Sequence, residues 1–276
     1  MKPKRLLFYV AVVGLSLFGM NAKAQTPLDI KLNGSYIKTA SQGFIEEGSA
    51  MVPVRCISEA FGCDEIKWNE KERAVSVEEN GEILVFYIDK DKALVNGKWE
   101  KMPNEAKIVD GRTYVGVRFL SDFFDADVNW NGLTHTVELS KKGFTPKNEH
   151  IDDSYTSADL EWLAKIVHAE AGGEPNKGKI AVGNVVMNRI ESNDFPDTVY
   201  DVVFDRKYGV QFTPVANGAI YNNPSRDSYH SAKKALFGEN VVGKSLYFCN
   251  TAISTNFWIV NNRPFFTQIG KHSFYL

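Results

Sequence analysis

The 276-residue sequence contains few cysteines, only Cys56, Cys63 and Cys249. Three thiols are too few, and odd in number, for a disulfide scaffold, so the fold must be stabilised by core packing. Two full turns of a predicted helix would hold the Cα atoms of Cys56 and Cys63 about 10.5 Å apart, so these residues could form a disulfide bond only if that helix ends early. We therefore expect free thiols.

The sequence also lacks an apolar run of roughly 20 residues, the length that a membrane-spanning helix needs. The run from Leu6 to Phe18 is shorter, follows basic residues at 2–5 and precedes the small-x-small signal A-K-A at 22–24. Residues 1–24 are therefore predicted to be a secretory signal peptide, with an uncleaved anchor as the alternative. The mature chain is expected to be secreted or in the cell wall, with no membrane span.

A basic excess is absent as well. The chain has 32 Lys and Arg against 34 Asp and Glu, and residues 1–24 remove four of the basic residues, which leaves 28 against 34. This balance argues against a nucleic-acid partner. Because no G-x-G-x-x-G or P-loop follows a predicted strand, no coenzyme is expected. Nothing in the sequence indicates an oligomer, so a monomer is the default expectation.

What the sequence does contain, in residues 25–140, is an internal repeat. V-P-V-R at 52–55 recurs as V-G-V-R at 115–118, and I-K-W-N at 66–69 recurs as V-N-W-N at 128–131. An alternating strand follows each W-N element. Each unit is therefore predicted to form a strand, a short helix and a hairpin, which together give a small repeat-built α/β domain.

The repeated V-P-V-R and W-N elements resemble the copper amine oxidase N-terminal-like domain, a stalk module of many exported Gram-positive proteins. Residues 25–157 hold only two histidines, His135 and His150, and have no ligand cluster, so no copper is expected. For Trp68 and Trp130, core packing is the favoured interpretation and sugar stacking the alternative.

Residues 141–157 are polar, contain glycine and proline, and are predicted to be a linker. From 158 to 276 the pattern changes. Helices are predicted from a cap at Thr156 or Ser157 through Val167, then at 177–190 and 225–237, while 245–250 and 256–260 supply the convincing strand pattern. The expected fold is a mostly helical α+β domain.

Glu170 is the strongest catalytic candidate. It follows an apolar helix face and precedes two glycines and Pro175, which stop the helix. A carboxyl group there is partly desolvated, which raises its pKa and suits it to protonate a leaving oxygen; a solvated or capping carboxylate is the common alternative. Glu174 would share a face with Glu170 only if the helix continued, and the glycines argue against that.

The string I-V-H-A-E-A-G-G-E-P at 166–175, with Q-F-T-P-V, L-Y-F-C-N and I-G-K-H-S-F-Y further on, resembles the SleB-type cell-wall hydrolase family, which includes spore cortex-lytic enzymes. The resemblance covers nearly all of 160–276. It implies a lysozyme-like catalytic domain that acts on peptidoglycan glycan strands, with Glu170 as the essential acid. Gly173 and Cys249 depart from the residues usual in the family.

A site with one acid favours a particular reaction. Hydrolysis by inversion or retention needs two carboxyl groups, whereas a lytic transglycosylase lets the C6 hydroxyl of the sugar attack the anomeric carbon. Since no second acid is as well marked as Glu170, we hypothesise lytic transglycosylation between N-acetylmuramic acid and N-acetylglucosamine, leaving 1,6-anhydro ends. Vegetative wall and spore cortex both remain open as substrates.

Polar groups and aromatic walls are needed around the sugar. Core packing is an equal alternative for the two aromatic candidates and for Trp258, and His272 is predicted to be a structural residue or to orient Glu170. The predicted substrate-binding residues are Gln211, Phe212, Thr213, Tyr247 and Asn250.

The sequence leaves two alternative functions. A zinc amidase built on His168, Glu170 and His272 is disfavoured because a His and a Glu two apart on a helix do not share a face, and no metal is expected. A non-catalytic wall-binding protein is the other alternative, and the intact motif around Glu170 counts against it.

Overall fold

A computed structural model describes residues 27–207, 209–254 and 257–276. They form two units, Pro27–Asp153 and Ser154–Leu276. The predicted signal peptide, residues 1–24, lies outside the described residues. Among the described helices, none is both long enough and apolar enough to cross a bilayer. The chain as a whole is of the mixed α+β class.

The N-terminal unit is rich in strands. Its sheets have the strand orders β12-β13-β1-β2, β10-β11-β4-β3 and β5-β6-β7-β8-β9. The elements are β1 Asp29–Leu32, β2 Ser35–Tyr36, β3 Phe44–Glu46, β4 Ser49–Pro53, α1 Val54–Ala60, β5 Glu65–Asn69, β6 Ala74–Glu79, β7 Glu82–Tyr87, β8 Lys92–Val95, β9 Lys98–Lys101, β10 Lys107–Val109, β11 Arg112–Gly116, α2 Val117–Phe123, β12 Asp127–Asn131 and β13 Thr136–Ser140.

The two sequence-related segments have the same order of elements, β4-α1-β5-β6 and β11-α2-β12-β13. Strands β4 and β11 pair antiparallel, with Val52 opposite Val115. The rings of Phe61 and Phe124, which follow the two helices, stack with centroids 4.6 Å apart. Equivalent residues of the two segments therefore share one core.

The prediction that Trp68 and Trp130 pack in the core is wrong. Their side chains remain 39% and 42% exposed. Each lies opposite a buried valine, Val75 or Val137, and so points to the core side of its hairpin. Each tryptophan is the penultimate residue of its strand, where the core ends. One part of each ring therefore covers the edge of the core, and the other part is exposed to solvent.

The segment predicted to be a linker, 141–157, is divided in the structure. Residues up to Asp153 belong to the N-terminal unit, and Ser157 already begins a helix. The Asn33 side-chain amide donates to the carbonyls of Lys141 and Phe144, at 2.8 and 2.6 Å. These long-range hydrogen bonds order a segment whose composition alone is that of a linker.

The C-terminal unit consists of helices and a three-stranded sheet of order β14-β16-β15. Its core lies between α3, α4 and α7. In α4, a Cβ added at Gly183 would lie 2.9 Å from the Cβ of Ala235, so the glycine permits the close approach of α7. The elements are α3 Ser157–Ala171, α4 Asn176–Glu191, α5 Val199–Val203, α6 Thr213–Asn217, α7 Arg226–Leu236, β14 Tyr247–Cys249, α8 Trp258–Asn262, β15 Phe265–Ile269 and β16 His272–Tyr275.

The three helices predicted around 157–167, 177–190 and 225–237 are present. The strand predicted at 256–260 begins outside the described residues and is wrong over 258–260. Residues Trp258–Asn262 are helical, and the side-chain amide of Asn262 donates to the carbonyl of Trp258 at 2.8 Å. Strands β15 and β16 were not predicted. All four residues of β16 are buried because it is the central strand, so it lacks the alternation that marks a half-exposed strand.

Candidate active site

Helix α3 positions Glu170. The helix begins at a capping box, in which the hydroxyl of Thr156 accepts the N–H of Asp159 at 3.1 Å and the Asp159 carboxylate accepts the N–H of Thr156 at 2.8 Å. It ends at Ala171, with Gly172 as the C-cap. Glu170 therefore lies in the last turn of a helix fixed at both ends.

The carboxyl group of Glu170 is in an apolar setting. Ile166, Val167 and Ala171 around it are buried, and burial raises the pKa of Glu170 from 4.5 to about 7. Within the described ranges, no side chain forms a hydrogen bond or ion pair with it. The negative end of the helix dipole further disfavours a charge there. At and below neutral pH this group therefore holds a proton that it can donate.

Glu174 is engaged elsewhere. Its Oε2 accepts the backbone N–H of Lys271 at 3.0 Å, in the turn between β15 and β16. Its carbonyl accepts from the Lys179 ammonium at 2.6 Å. A Cβ at Gly270 would lie 1.9 Å from the same Oε2, so only glycine fits against it. As the glycines predicted, helix α3 stops before Glu174, which binds a backbone amide and does not pair with Glu170.

His168 points to the start of α7. Its Nδ1 lies 3.1 Å from the hydroxyl of Ser228, and the hydroxyls of Ser225 and Ser228 are 2.9 Å apart. Ser225 caps α7. His168 thus joins the two helices, which gives it a structural role beside Glu170.

His272 is buried in β16, with its ring 5.3 Å from Phe248 and 6.4 Å from Phe274. Burial lowers its pKa, against the opposing charge of Glu174, so the ring is neutral at physiological pH. Its Nδ1 has no hydrogen-bond partner in the described part of the chain. The structural role predicted for His272 fits this setting, and no contact supports the orienting role.

The three residues weighed for a zinc site, His168, Glu170 and His272, are not gathered. In 27–207, 209–254 and 257–276, no three His, Cys, Asp or Glu side chains come together in a way that could hold a metal ion. Cys56, Cys63 and Cys249 are free thiols.

The predicted polar wall residues lie in turns at or near the surface. Gln211 donates from Nε2 to the carbonyl of Gly209 at 3.3 Å, Thr213 is exposed at the start of α6, and the Asn250 side chain accepts the N–H of Ala252 at 3.1 Å. Each of the three thus retains polar atoms that are not committed to these contacts.

The two predicted aromatic wall residues differ. Phe212 is 2% exposed and packs against Phe248 with centroids 6.3 Å apart, so it is a core residue and its predicted contact with substrate is corrected. An apolar ring flanked by α6 gains more from complete burial than a sugar contact would supply. Tyr247 is half-buried in β14 and keeps part of its ring accessible.

Arg189 is a residue that sequence reasoning missed. It is 4% exposed, its Nε donates to the carbonyl of Leu246 at 2.8 Å, and its guanidinium lies 5.1 Å from the ring of Phe212 and 5.7 Å from that of Tyr247. Burial lowers its pKa to about 10, so it remains charged at neutral pH. Its burial could have been predicted from its position, because a residue three after Val186 falls on the apolar face of α4.

The fold and the site define a two-unit protein: a strand-rich unit precedes a unit of helices and a small sheet, with a partly buried acid at a helix end. The chain belongs to the cell wall hydrolase family, whose sequence profile matches residues 173–275. The copper amine oxidase N-terminal domain matches residues 31–139. Glu170 lies three residues before the start of the range matched by the cell wall hydrolase family, 173–275.

Among the relatives, the cell wall hydrolase CwlJ of Bacillus subtilis is 31% identical over 128 residues, which is 44% of this chain and 86% of that protein. A spore cortex-lytic enzyme of Oceanobacillus iheyensis is 38% identical over 132 residues, or 48% of this chain and 46% of that protein. The chain spans about half the length of the spore cortex-lytic enzymes that it matches.

A similar solved structure is the catalytic domain of the germination-specific lytic transglycosylase SleB from Bacillus anthracis. It is 36% identical, and the similarity covers 46% of this chain and 100% of that domain, with a TM-score of 0.42.

Proposed function

We propose that this chain is an exported peptidoglycan-cleaving enzyme that acts as a lytic transglycosylase on the bond between N-acetylmuramic acid and N-acetylglucosamine. The observation that carries the proposal is Glu170, a carboxyl group whose pKa burial raises to about 7 at a helix end. A protonated acid at working pH is what the departure of a sugar oxygen requires. The cleavage activities named in the relatives support the same class of reaction.

In the proposed reaction, Glu170 gives its proton to the glycosidic oxygen as the bond from the anomeric carbon to that oxygen breaks. The C6 hydroxyl of the muramyl sugar then bonds to the anomeric carbon, and its proton returns to the Glu170 carboxylate. No water is consumed, and the acid is regenerated. The commitment of Glu174 to the Lys271 amide supports a mechanism with one carboxyl group, because hydrolysis by two carboxyl groups would require a second one nearby.

The exposed Thr213 and the half-exposed Gln211, Tyr247 and Asn250 are proposed to contact the sugar, whereas Phe212 supports them from the core. The domain of 158–276 is proposed to be lysozyme-like and to need no coenzyme or metal. We propose that it acts as a monomer on vegetative wall or spore cortex.

The N-terminal domain, predicted at 25–140, is proposed to be a stalk that arose by duplication. The common element order of its two halves and the stacking of Phe61 on Phe124 support this origin. With a signal peptide at 1–24, the mature enzyme would reach the cell wall, where its substrate lies.

The test is digestion of purified peptidoglycan by the mature protein, Glu170→Gln and a matched control, Glu191→Gln, which makes the same change at the exposed end of α4. Mass spectrometry of the released fragments should show anhydro-muramic ends from the parent and the control, and none from Glu170→Gln. Reducing ends alone would instead indicate hydrolysis.

The same digestion addresses the alternatives. Equal amounts of product from the parent and Glu170→Gln would show that another residue is the catalytic acid. Activity lost with EDTA and restored by zinc would indicate an amidase. Binding to sacculi without any product, from vegetative wall or from cortex, would indicate a non-catalytic wall protein.

A further inference from the structure

A stack of arginine and aromatic side chains runs from the core of the C-terminal unit to its surface. Phe212, buried, lies under the guanidinium of Arg189, which faces Tyr247. On Tyr247 lies a second guanidinium, that of Arg263, at 4.5 Å, and Arg263 is also 5.2 Å from the ring of Trp258. Trp258, the outermost member, is 50% exposed.

The charge of Arg263 is not neutralised by the protein. In the described part of the chain no carboxylate lies within ion-pair distance of it, and its Nε is buried without a hydrogen-bond partner. Other cations of the same unit do have such partners, such as Lys165 with Glu161 at 3.4 Å and Lys234 with Glu239 at 3.4 Å. A partly buried guanidinium without an anion is costly, since its N–H groups have given up water.

The two rings hold the Arg263 side chain in a corner, since Tyr247 and Trp258 meet edge to face with centroids 6.2 Å apart and the guanidinium lies over both. Because Nε is buried, the two terminal NH2 groups are the ones that can bind a carboxylate through two hydrogen bonds. Tyr247 and Trp258 provide these rings for Arg263, and the exposed part of Trp258 offers a surface for a sugar or peptide group.

The stack is attached to the sheet that Glu174 joins to the end of helix α3. Tyr247 in β14 pairs with Tyr275 in β16, and the turn before β16 is held by the hydrogen bond from Lys271 to Glu174. Arg263 lies two residues before the first residue of β15 in the same sheet. A ligand bound by Arg263 would therefore be held against the sheet that is joined to the segment following Glu170.

We infer that Arg263, held between Tyr247 and Trp258, is an anion subsite that binds a carboxylate of the peptidoglycan strand. This inference rests on the proposed function. Carboxylates are the anionic groups of the muramyl part of that substrate: the peptide stem carries them, and so does the lactyl group wherever no stem is amide-bonded to it. The subsite determines which strands bind well, and Glu170 performs the chemistry.

The experiment measures binding without turnover. Glu170→Gln protein is sedimented with native sacculi and with sacculi whose carboxylates have been converted to amides by carbodiimide and ammonia. Arg263→Gln, Arg263→Lys and Arg226→Gln are each added to the Glu170→Gln background. Arg226, exposed at the start of α7, is the matched control because its replacement removes the same charge from the same unit.

We expect Arg263→Gln to weaken binding to native sacculi roughly tenfold or more, the effect of losing a charge-assisted pair. Amidation should weaken binding of the protein with Arg263 intact by a similar factor and leave Arg263→Gln unaffected. Arg263→Lys should bind at an intermediate level, since it keeps the charge and loses the fork. Arg226→Gln should bind as its background does.

Amidase-treated strands, which carry a lactyl carboxylate and no peptide, test the source. Because the amidase frees that carboxyl from its amide bond, full binding to these strands shows that a lactyl carboxylate is sufficient, and loss of binding assigns the stem; either result requires the same dependence on Arg263.

The inference is overturned if Arg263→Gln binds native sacculi as tightly as its background, or if it weakens binding to native and amidated sacculi equally. A purely structural role would give the second result together with a lower Tm. Failure of the proposed function is seen separately, in the products of the parent protein, because binding in the Glu170→Gln background requires no cleavage.

Discussion

The carboxylate of Glu174 accepts a hydrogen bond from the backbone N–H of Lys271, with Oε2 and N 3.0 Å apart. The bond joins the segment just after helix α3 to the turn between β15 and β16, residues that are 97 positions apart in the chain. Because only Ala171, Gly172 and Gly173 separate Glu174 from Glu170, this bond restrains the end of the helix that carries the proposed acid.

Glu174 is therefore predicted to be a positioning residue. Glu174→Gln keeps an acceptor oxygen for the Lys271 amide but removes the negative charge that strengthens the hydrogen bond. It should therefore lower kcat by roughly threefold. Glu174→Ala removes the bond and should lower kcat roughly 10- to 100-fold with little change in KM, because the acid is misplaced. Steady-state kinetics on soluble glycan fragments measures both. If Gln were as damaging as Ala, Glu174 would instead act through its charge.

Gly270 should tolerate no side chain. A Cβ there would meet Glu174 Oε2 at 1.9 Å, at a φ of +59°. Gly218, with a φ of +83° and nothing within 4 Å of a Cβ, is the matched control. Gly218→Ala should lower the free energy of unfolding by about 1 kcal/mol through backbone strain. Gly270→Ala should lower it clearly more, as measured by thermal unfolding. Adding Glu174→Ala to Gly270→Ala should recover part of the difference; an additive double variant would exclude the clash as the cause.

Activity should fall as the pH rises through about 7, the pKa of Glu170. Only the protonated acid can donate, so the alkaline limb of the kcat profile reports its ionisation. The measurement is initial rate against pH at saturating substrate. A rate that rises through this range would require a base in place of the acid.

Glu170 should also make stability depend on pH. Its pKa is raised in the folded state from 4.5 to about 7, so the folded chain binds more protons between these values and stability falls as the pH rises through this window. The loss is on the order of 3 kcal/mol above pH 7. Glu170→Gln, which stays neutral, should have a higher Tm than the parent at pH 8 and nearly the same Tm at pH 4. An equal difference at both pH values would contradict this.

Trp68 and Trp130 should contribute less to stability than interior tryptophans. Each is about two-fifths exposed, at 39% and 42%, so Trp68→Ala and Trp130→Ala should each cost roughly 1–2 kcal/mol, below the 3–5 kcal/mol of a fully buried ring. Because the two tryptophans occupy equivalent positions in the two sequence-related segments, the two substitutions should have similar costs. Urea unfolding of the mature chain measures the cost, and values of the interior size would restore the core-packing interpretation.

The local features of the catalytic unit could be predicted from the sequence because their causes lie within a few residues. The cap at Thr156, the apolar face of α3 and the glycines after Ala171 fix where that helix begins and ends. That places Glu170 in the last turn. The spacing of apolar residues likewise defines α4 and α7.

Other features required the folded chain. Residues 257–260 are a run of aromatic and β-branched side chains, which is typical of a strand, yet a helix begins at Trp258. Strand β16 has no alternating pattern because all four of its residues are buried. That burial depends on the elements packed around this central strand, not on its own sequence. For Phe212 the sequence leaves sugar contact and core packing open, and its burial depends on Phe248, which lies far along the chain.

The sequence by itself determined the two-unit organisation, the principal helices and the glutamate at the end of the first of them, since these depend on periodicity, caps and repeats. Only the tertiary structure decided that Glu174 binds Lys271 and that Arg263 lies between Tyr247 and Trp258. Such contacts join residues that are far apart in sequence, and burial and hydrogen bonding are set by the whole packed chain, not by any one segment of it.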